Sequence, residues 1–219
     1  MNYALATARQ VTNEYGRTVY QFEESYAQYF LRFDFSLLVV TSLNIFDTIN
    51  QIKPPMILLT GGGSVPTEYY TMYNNEHEQQ KQRNEIERKL ISYALDHDIP
   101  LIGICRGMQM INGFLGGKLT RGPISLHPVD RTHLVHMSNC GTSIVVNSFH
   151  DDVVEKEYLA ETLKVLAIDE NGSYVEAFLG TKRKILGLQW HPERLPSDVK
   201  GKNVTDNLIK KFLLSSCFT

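Results

Sequence analysis

Short apolar runs alternate with amphipathic segments through the first half of the chain. The apolar runs have the length and pattern of strands that are buried on both faces, and they lie at residues 3–8, 36–41, 56–59 and 99–104. The segments between them place apolar residues at helical spacing, at residues 23–33, 44–52 and 78–96. Strands that alternate with helices in this way predict right-handed crossovers and an α/β fold with a doubly wound, mainly parallel sheet.

The second half of the chain predicts an antiparallel extension of this sheet. A strand at residues 143–147 precedes two strands at 163–168 and 174–178, which are joined by Asn171-Gly172. Asn-Gly between two apolar runs is a strong hairpin signal. A last strand at 184–190 and an amphipathic helix at 204–214 complete the pattern. Because no repeat or linker interrupts it, the sequence predicts one flavodoxin-like domain over residues 1–219.

The polar stretches between these elements are expected to be exposed. Residues 9–17 have the composition of a loop, and residues 123–136 are expected to be irregular. The helix at 78–96 carries a dense set of charges, which we expect to form its solvated face. These charges are Lys81, Arg83, Glu85, Glu87, Arg88 and Lys89.

Composition and charge argue against several classes of function. Of the 219 residues, 42% are hydrophobic and 21% are charged, as is ordinary for a soluble globular protein. The net charge of −2 gives no general attraction to nucleic acid or to an anionic membrane. The first residues lack the basic region and apolar core of a signal peptide, and no apolar segment is long enough to span a bilayer. We therefore expect no nucleic acid and no membrane as partners.

The cysteines and histidines favour a protein of a reducing compartment without a metal. Cys105, Cys140 and Cys217 are an odd set without metal-ligand spacing, which fits a cytoplasmic protein with free thiols. Three histidines lie close together, but no cysteine or carboxylate is suitably spaced to complete a metal site. We expect these residues to rim the site: His127, His133 and His136. No cofactor is predicted.

One segment combines the end of a strand, a cysteine and the start of a helix. Cys105 follows an apolar run and precedes a helix-compatible run, with Gly103 and Gly107 on either side. A strand that turns sharply into a helix at a nucleophile has this pattern, and glycines suit it because side chains would crowd the crossing. A helix N-terminus also favours the thiolate form of a cysteine. Taken alone, the segment fits a buried structural cysteine equally well.

Two further segments bear on that choice. His191-Pro192-Glu193 follows the last strand, and it offers a base that titrates near neutrality next to a carboxylate that can fix its tautomer. In extended backbone, residues two apart point the same way, so we expect His191 and Glu193 to stand side by side. Gly61-Gly62-Gly63, after the strand at 56–59, can be an oxyanion-stabilising loop, a phosphate cradle or a flexible turn.

Four segments of the chain together match a known family. Gly103-Ile104-Cys105-Arg106-Gly107-Met108-Gln109 and Gln189-Trp190-His191-Pro192-Glu193 resemble segments of the class I glutamine amidotransferases. Leu58-Leu59-Thr60-Gly61-Gly62-Gly63 and Val146-Asn147-Ser148-Phe149-His150 are similar to those of its γ-glutamyl hydrolase branch, typified by γ-glutamyl-γ-aminobutyrate hydrolase. The segments occur in the family's order, and the resemblance extends from the first strand to the last helix.

The resemblance implies a fold and a catalytic centre. The fold would be that of a class I glutamine amidotransferase. A triad of Cys105, His191 and Glu193 would cleave a γ-glutamyl amide through a thioester of the cysteine. The backbone N–H groups of Gly62 and Arg106 would form the oxyanion hole. A small γ-glutamyl molecule would be the substrate, held by Gln109, Ser148, Phe149 and His150.

Two departures from the branch concern the substrate mouth. His150 is followed by Asp151, where the branch often has a second histidine, and Thr60 stands where it usually has proline. Neither position belongs to the implied triad. Both leave the identity of the leaving group open.

Three functions are compatible with the resemblance. The first is a stand-alone hydrolase that releases glutamate, and the second is a glutaminase subunit that delivers ammonia to a separate synthetase. The third is an inactive binding module, which the presence of cysteine, histidine and glutamate disfavours. The hydrolase-branch segments favour the first. The sequence does not decide between a monomer and a homodimer.

Within the hydrolase interpretation, the compact chain is similar to γ-glutamyl-CDP-amidate hydrolase, an enzyme of capsular phosphoramidate biosynthesis. This similarity implies cleavage of γ-glutamyl-CDP-amidate to glutamate and cytidine diphosphoramidate. A diphosphate-bearing leaving group needs cationic or N–H partners. The candidates from the sequence are Arg106, Arg121, His127 and Arg131.

Overall fold

A nine-stranded sheet lies at the centre of the described structure. The computed structural model describes residues 2–47, 49–72, 80–122, 131–138, 141–197 and 200–215. The strands are β1 (Asn2–Thr7), β2 (Arg9–Thr12), β3 (Thr18–Gln21), β4 (Phe35–Val40), β5 (Ile57–Leu59), β6 (Leu101–Ile104), β7 (Thr120–Arg121), β8 (Arg131–Met137), β9 (Ser143–Ser148), β10 (Asp152–Val153), β11 (Leu163–Asp169), β12 (Val175–Gly180) and β13 (Ile185–Leu188). The helices are α1 (Glu24–Leu31), α2 (Ile49–Ile52), α3 (Lys81–His97), α4 (Arg106–Phe114) and α5 (Lys200–Leu214).

The sheet has a parallel half and an antiparallel half, in the order β4-β1-β5-β6-β13-β12-β11-β8-β9. The strands from β4 to β13 are parallel to one another, and each later pair is antiparallel. The turn between β11 and β12 holds Gly172 at φ 74°, and the carboxylate of Asp169 accepts the N–H groups of Ser173 and Tyr174 at 2.7 Å. The predicted α/β fold and its antiparallel extension are confirmed.

Helices cover both faces of the parallel half. Helices α1 and α5 bury residues such as Phe30 and Phe212 in one core cluster, whereas α3 and α4 bury Leu90 and Met108 in the other. Neighbouring residues of β5 belong to different clusters, because successive side chains of a strand point to opposite faces.

Three expectations for the strands and loops were wrong. The predicted buried strand at 36–41 is the edge strand β4, in which Leu38 is 40% and Val39 is 39% exposed. The predicted loop at 9–17 lies within the β2–β3 hairpin. Part of the irregular segment at 123–136 is strand β8, which pairs with β9 and β11, and residues 123–130 lie outside the described ranges. The polar composition of these segments did not indicate that β2 pairs with β3 or that β8 pairs with β9 and β11, because strand formation depends on how side chains pack against neighbouring strands.

The predicted solvated face of α3 was also wrong at two positions. Arg83 is 1% and Glu87 is 0% exposed, and the two side chains form an ion pair at 2.8 Å. Arg106, at the start of α4, contacts the same carboxylate. The charge pattern of a helix indicates a solvated face only when no buried partner meets it from another element.

Two glycines allow β6 to turn into α4 at close quarters. A Cβ atom added at Gly103 would lie 2.6 Å from the backbone of Gly107, and one added at Gly107 would lie 2.1 Å from the carbonyl oxygen of Leu59. Such distances are far below van der Waals contact, so neither position has space for a side chain. The steric reason inferred from the sequence for these glycines is confirmed.

A third closely packed glycine, Gly187, lies on β13, away from the start of α4, and allows the steric argument to be tested there. A Cβ atom added there would lie 2.4 Å from the ring of Phe178 on the neighbouring strand. We expect Gly187→Ala to lower the free energy of unfolding by about 1–3 kcal/mol, the usual cost of overpacking. Urea denaturation measures the effect.

The matched control combines Gly187→Ala with Phe178→Leu, which removes the colliding ring atoms. The double variant should lose less stability than the two single losses added together. Strict additivity would contradict the steric explanation.

Candidate active site

Cys105 lies at the junction of β6 and α4 in an unusual backbone conformation. Its φ is 52° and its ψ is −111°, a region that residues with a Cβ atom rarely adopt. Its N–H donates to the carbonyl of Leu188 at 2.7 Å, and its own carbonyl accepts the N–H of Gln109 at 3.2 Å. The cysteine therefore joins the sheet and the helix, as the predicted strand-turn-helix elbow requires.

His191 and Glu193 lie next to each other after β13. The Nδ1 atom of His191 is 2.6 Å from Oε1 of Glu193, and both side chains are buried. The extended-strand argument for this pairing was wrong, because residues Pro192–Arg194 form a 3₁₀ turn. The turn, with His191 still extended before it, brings the two side chains together.

The backbone of this turn is fixed by side chains from two other elements. Asn147 of β9 makes two hydrogen bonds to His191, accepting its N–H and donating to its carbonyl, both at 2.8 Å. Lys202 of α5 donates to the carbonyl of Pro192 at 3.1 Å. The imidazole is thus positioned through its main chain as well as through Glu193.

His191 also interacts with Cys105. Burial favours the neutral imidazole, but the charge and hydrogen bond of Cys105, together with Glu193, outweigh burial and raise the pKa of His191 to about 9. An imidazolium that persists at neutral pH is what a thiolate partner stabilises. The structure therefore brings Cys105, His191 and Glu193 into one connected cluster.

Tyr26 of α1 connects the histidine to the glycine loop. Its hydroxyl accepts the N–H of Gly61 at 3.0 Å and lies 3.3 Å from Nδ1 of His191. Burial and then the charge of Glu193 raise the pKa of Tyr26 well above its ordinary value, so the hydroxyl stays protonated. The sequence showed Tyr26 only as part of an apolar stripe, and no local motif marks it as a site residue.

A cavity of about 400 Å³ opens above these residues. It is lined by the cysteine elbow, the glycine loop and the histidine, and also by residues of the β2–β3 hairpin. The lining residues that the sequence did not connect with the site are Arg9, Gln21, Phe22, Glu23, Tyr26, Ser64, Asp152 and Arg194. A cavity of this size suits a small molecule.

Most of the predicted substrate-contacting residues line this cavity. Gln109 does so and donates to the carbonyl of Asp152 at 3.1 Å. Phe149 and His150 also line it, and the Phe149 ring meets the His191 ring edge to face with centroids 5.6 Å apart. Ser148 is different, because it is buried and is not among the lining residues.

The predicted oxyanion residues are also at the cavity. Gly62 and Arg106 both line it, together with Cys105. Gly62 and Gly63 have φ values of 83° and 73°, which glycine adopts without strain. Of the three interpretations of the glycine loop, this placement beside Cys105 favours the oxyanion-stabilising one.

The described arginines that the sequence proposed as partners of a diphosphate have other partners or lie elsewhere. The guanidinium of Arg106 is buried and bonded to Glu87 and Asn84, and Arg121 pairs with Asp151 at 3.0 Å. Arg131 is exposed and lines a neighbouring cavity, while residue 127 lies outside the described ranges.

Two arginines that the sequence did not single out line the site cavity. Arg9 lies on the hairpin, where its Cδ would be 2.9 Å from a Cβ atom added at Gly62. Arg194 stacks on the Phe149 ring with its guanidinium carbon 4.5 Å from the centroid, and it pairs with Glu23 at 2.5 Å. The side chains of two arginines and an aromatic ring therefore belong to the cavity wall.

The described histidines outside the cluster have other partners. His133 lies 3.2 Å from Glu176, and His136 lies 2.7 Å from the hydroxyl of Ser143. No group of three metal-ligating side chains occurs within the described ranges. In the same part of the chain, none of the helices combines the length and apolar character needed to cross a bilayer.

Comparison with known proteins identifies the family. The family model described as glutamine amidotransferase class-I matches residues 18–211. The γ-glutamyl-CDP-amidate hydrolase of Campylobacter jejuni is 35% identical over 114 residues, which cover 52% of this chain and 52% of that protein. Anthranilate synthase beta subunit 1 of Arabidopsis thaliana is 30% identical over 122 residues, which cover 51% of this chain and 44% of that protein.

The curated relatives match only part of their length to this chain, whereas a solved structure superposes on nearly all of it. The first curated relatives are matched over 44% to 65% of their own length. The crystal structure of a GMP synthase subunit from Thermoplasma acidophilum superposes with a TM-score of 0.65 at 18% identity, covering 97% of this chain and 94% of that chain. At this identity the likeness shows the fold. With the family match extending over most of the chain, the protein belongs to the class I glutamine amidotransferase family.

Proposed function

We propose that the protein is a cysteine-dependent hydrolase that cleaves a γ-glutamyl amide bond and releases glutamate. One observation carries the proposal. Cys105, held at a strand-to-helix elbow, interacts with His191, whose Nδ1 is 2.6 Å from Glu193. A nucleophile, a base and an orienting carboxylate in contact are the arrangement that acyl transfer needs.

The chemistry divides between these three side chains. Because Nδ1 of His191 faces Glu193, Nε2 is the nitrogen that exchanges a proton with Cys105. The thiolate attacks the δ-carbonyl carbon of the glutamyl group, and the C–N bond breaks as Nε2 returns a proton to the leaving nitrogen. Water, deprotonated by the same nitrogen, then hydrolyses the thioester and releases glutamate and the free thiol.

Backbone donors stabilise the intermediate in this proposal. The N–H groups of Gly62 and Arg106 serve as the oxyanion hole, and each such donor is worth about 3 kcal/mol to the transition state. Gln109, Phe149 and His150 hold the glutamyl group from the cavity wall. For Ser148, the proposal is limited to its backbone.

For the leaving group, we propose a cytidine diphosphoramidate, so that the substrate is γ-glutamyl-CDP-amidate of capsular phosphoramidate biosynthesis. The Campylobacter jejuni relative that is 35% identical to this chain is named γ-glutamyl-CDP-amidate hydrolase. Arg9 and Arg194 line the cavity and carry guanidinium groups, which are suited to phosphate oxygens, and Arg194 would exchange its pairing with Glu23 for the leaving group. These groups are compatible with an anionic leaving group.

Two alternatives remain within the same chemistry. A γ-glutamyl-γ-aminobutyrate-type hydrolase also has an anionic leaving group, for which one arginine suffices. A glutaminase subunit that supplies ammonia to a synthetase is supported by the similarity to an anthranilate synthase beta subunit. A single domain over residues 1–219 and a cytoplasmic location stay predictions in each case, and the choice between a monomer and a homodimer stays open.

Replacing the nucleophile tests the proposal directly. We expect Cys105→Ser to lower kcat by roughly 10⁴-fold or more, because the hydroxyl lacks the thiolate character that His191 stabilises. Glutamate release from a γ-glutamyl substrate measures this, with circular dichroism and thermal unfolding as controls for folding. Retained turnover in a folded variant would exclude Cys105 as the nucleophile.

The raised pKa of His191 predicts an alkaline limit of activity. A raised pKa keeps the imidazolium charged up to about pH 9, so leaving-group protonation, and with it kcat/KM, should fall as the pH rises through that value. This fall is the alkaline limb of the pH profile. In Glu193→Gln the alkaline limb should move to lower pH, because the carboxylate no longer raises the pKa of His191.

Glu23→Gln is the matched control for the pH profile. Glu23 is a carboxylate at the cavity that pairs with Arg194 instead of His191, so its loss should leave the alkaline limb in place. An identical shift in both variants would contradict the assignment of the limb to the His191–Glu193 pair.

A substrate comparison separates the candidate functions. We expect kcat/KM for γ-glutamyl-CDP-amidate to exceed that for γ-glutamyl-γ-aminobutyrate and glutamine by roughly 10²-fold or more, since two guanidinium groups meet a diphosphate. Purified protein without a partner is used for all three. Equal values would contradict the diphosphate proposal, and turnover of glutamine that requires an added synthetase would favour the amidotransferase role.

A further inference from the structure

We propose that Glu87 is a positioning residue that holds both backbone donors of the oxyanion hole, through Arg83 on one side and Arg106 on the other. These three side chains are called the Glu87 cluster below. The inference rests on the proposed function, because it assigns a task to residues behind the proposed site. Glu87 is not among the residues that line the cavity, so it acts on the site through Arg83 and Arg106.

The first arm of the cluster fixes the glycine loop. The guanidinium of Arg83 donates to three consecutive carbonyls, those of Thr60, Gly61 and Gly62, at 2.6, 3.1 and 2.7 Å. In addition, its Nε donates to Oε1 of Glu87 at 2.8 Å. One buried side chain therefore determines the orientation of successive peptide planes in the loop.

Peptide geometry turns this contact into an orientation for the donor. In a trans peptide the carbonyl and the N–H point in opposite directions. With the carbonyl of Gly61 directed at Arg83, the N–H of Gly62 must point away from the Glu87 cluster. Glycine allows this arrangement because Gly62 has a φ of 83°, where other residues are strained.

The second arm fixes the start of α4. Arg106 follows Cys105, and its side chain donates to Oε2 of Glu87 and to Asn84. Its Nε donates to the carbonyl of Ser64 at 3.0 Å. The residue whose N–H is the second proposed donor is thus tied to the same carboxylate and to the end of the glycine loop.

The two oxygens of Glu87 accordingly serve different halves of the site. Oε1 accepts from Arg83 and from the hydroxyl of Thr7 at 2.9 Å, while Oε2 accepts from Arg106. All three charged side chains are at most 1% exposed. Such short contacts between charged groups away from water resist displacement, so the distance between the two donors is set by one carboxylate.

The Glu87 cluster carries a net positive charge. Two guanidinium groups face one carboxylate, which leaves one positive charge behind the loop and the helix start. The burial of Arg83 lowers its pKa only to about 10, so it remains a cation at neutral pH. This positive charge favours the negative oxygen of a tetrahedral intermediate. Because Glu87→Gln would add to the charge, any loss of kcat in that variant reports displaced donors and not a lost electrostatic effect.

The test compares a reaction that forms an oxyanion with one that does not. Hydrolysis of a γ-glutamyl substrate needs the donors, whereas alkylation of Cys105 by iodoacetamide is a direct displacement that forms no oxyanion. We expect Glu87→Gln to lower kcat by roughly 10²-fold, as small misplacements in active sites do, with little change in KM. The alkylation rate should stay within about twofold, because Cys105 and His191 keep their own contacts.

Two further variants make the comparison decisive. Thr7→Val removes a hydroxyl that donates to Oε1 at 2.9 Å and accepts the N–H of Thr60, next to the glycine loop, at 3.2 Å. This variant should lower kcat in the same sense by a smaller factor, and it serves if Glu87→Gln does not fold. Arg88→Lys is the matched control, because Arg88 lies on the same helix but pairs with the exposed Glu68. It should change neither rate.

The outcomes separate this inference from the proposed function. If the unmodified protein releases no glutamate from any γ-glutamyl substrate, the proposed function is wrong. If it does so, but kcat is unchanged in the folded variant, Glu87 has no positioning role. A proportional fall of hydrolysis and alkylation would show that the cluster supports the whole site without acting on the oxyanion donors, and would overturn the inference.

Discussion

The site depends on one backbone constraint, the conformation of Cys105. A residue with a Cβ atom at φ 52° and ψ −111° carries a conformational cost on the order of 1–3 kcal/mol. The cost is offset because the flanking residues are committed to the sheet and to α4, with Gly103 and Gly107 allowing the two to approach. The strain therefore places the thiol at the carboxyl edge of the sheet, where parallel strands converge on a cavity.

Residues that take no part in bond making determine the geometry of the acid-base pair. Asn147 holds the main chain of His191 through two hydrogen bonds, and Tyr26 connects its ring to the glycine loop. Lys202 supports the turn that carries Glu193. Three elements distant in sequence thus hold His191 and the turn that follows it, which explains how a short turn can position a histidine against a nucleophile on another strand.

The buried charges beneath the site are hard to explain by stability alone. Replacing a buried ion pair by apolar residues of similar volume is often neutral or stabilising, yet Arg83, Glu87 and Arg106 are all buried here. Their contacts converge on the carbonyls of the glycine loop and on the start of α4. Directional bonds of this kind fix backbone orientation in a way that apolar packing does not, so the arrangement is better explained by precision at the site.

The sequence by itself determined the parallel half of the sheet, the elbow at Cys105 and the proximity of His191 to Glu193. These are local properties, because a buried strand, a glycine-flanked turn and a pair of residues two apart are each contained within a few positions. Only the tertiary structure decided that Tyr26 contacts the histidine, that Glu87 is buried and that the β2–β3 hairpin borders the cavity. In each case the partner lies on a distant element, and periodicity carries no information about which elements meet: a charged helix face has the same sequence pattern whether water or a buried guanidinium faces it.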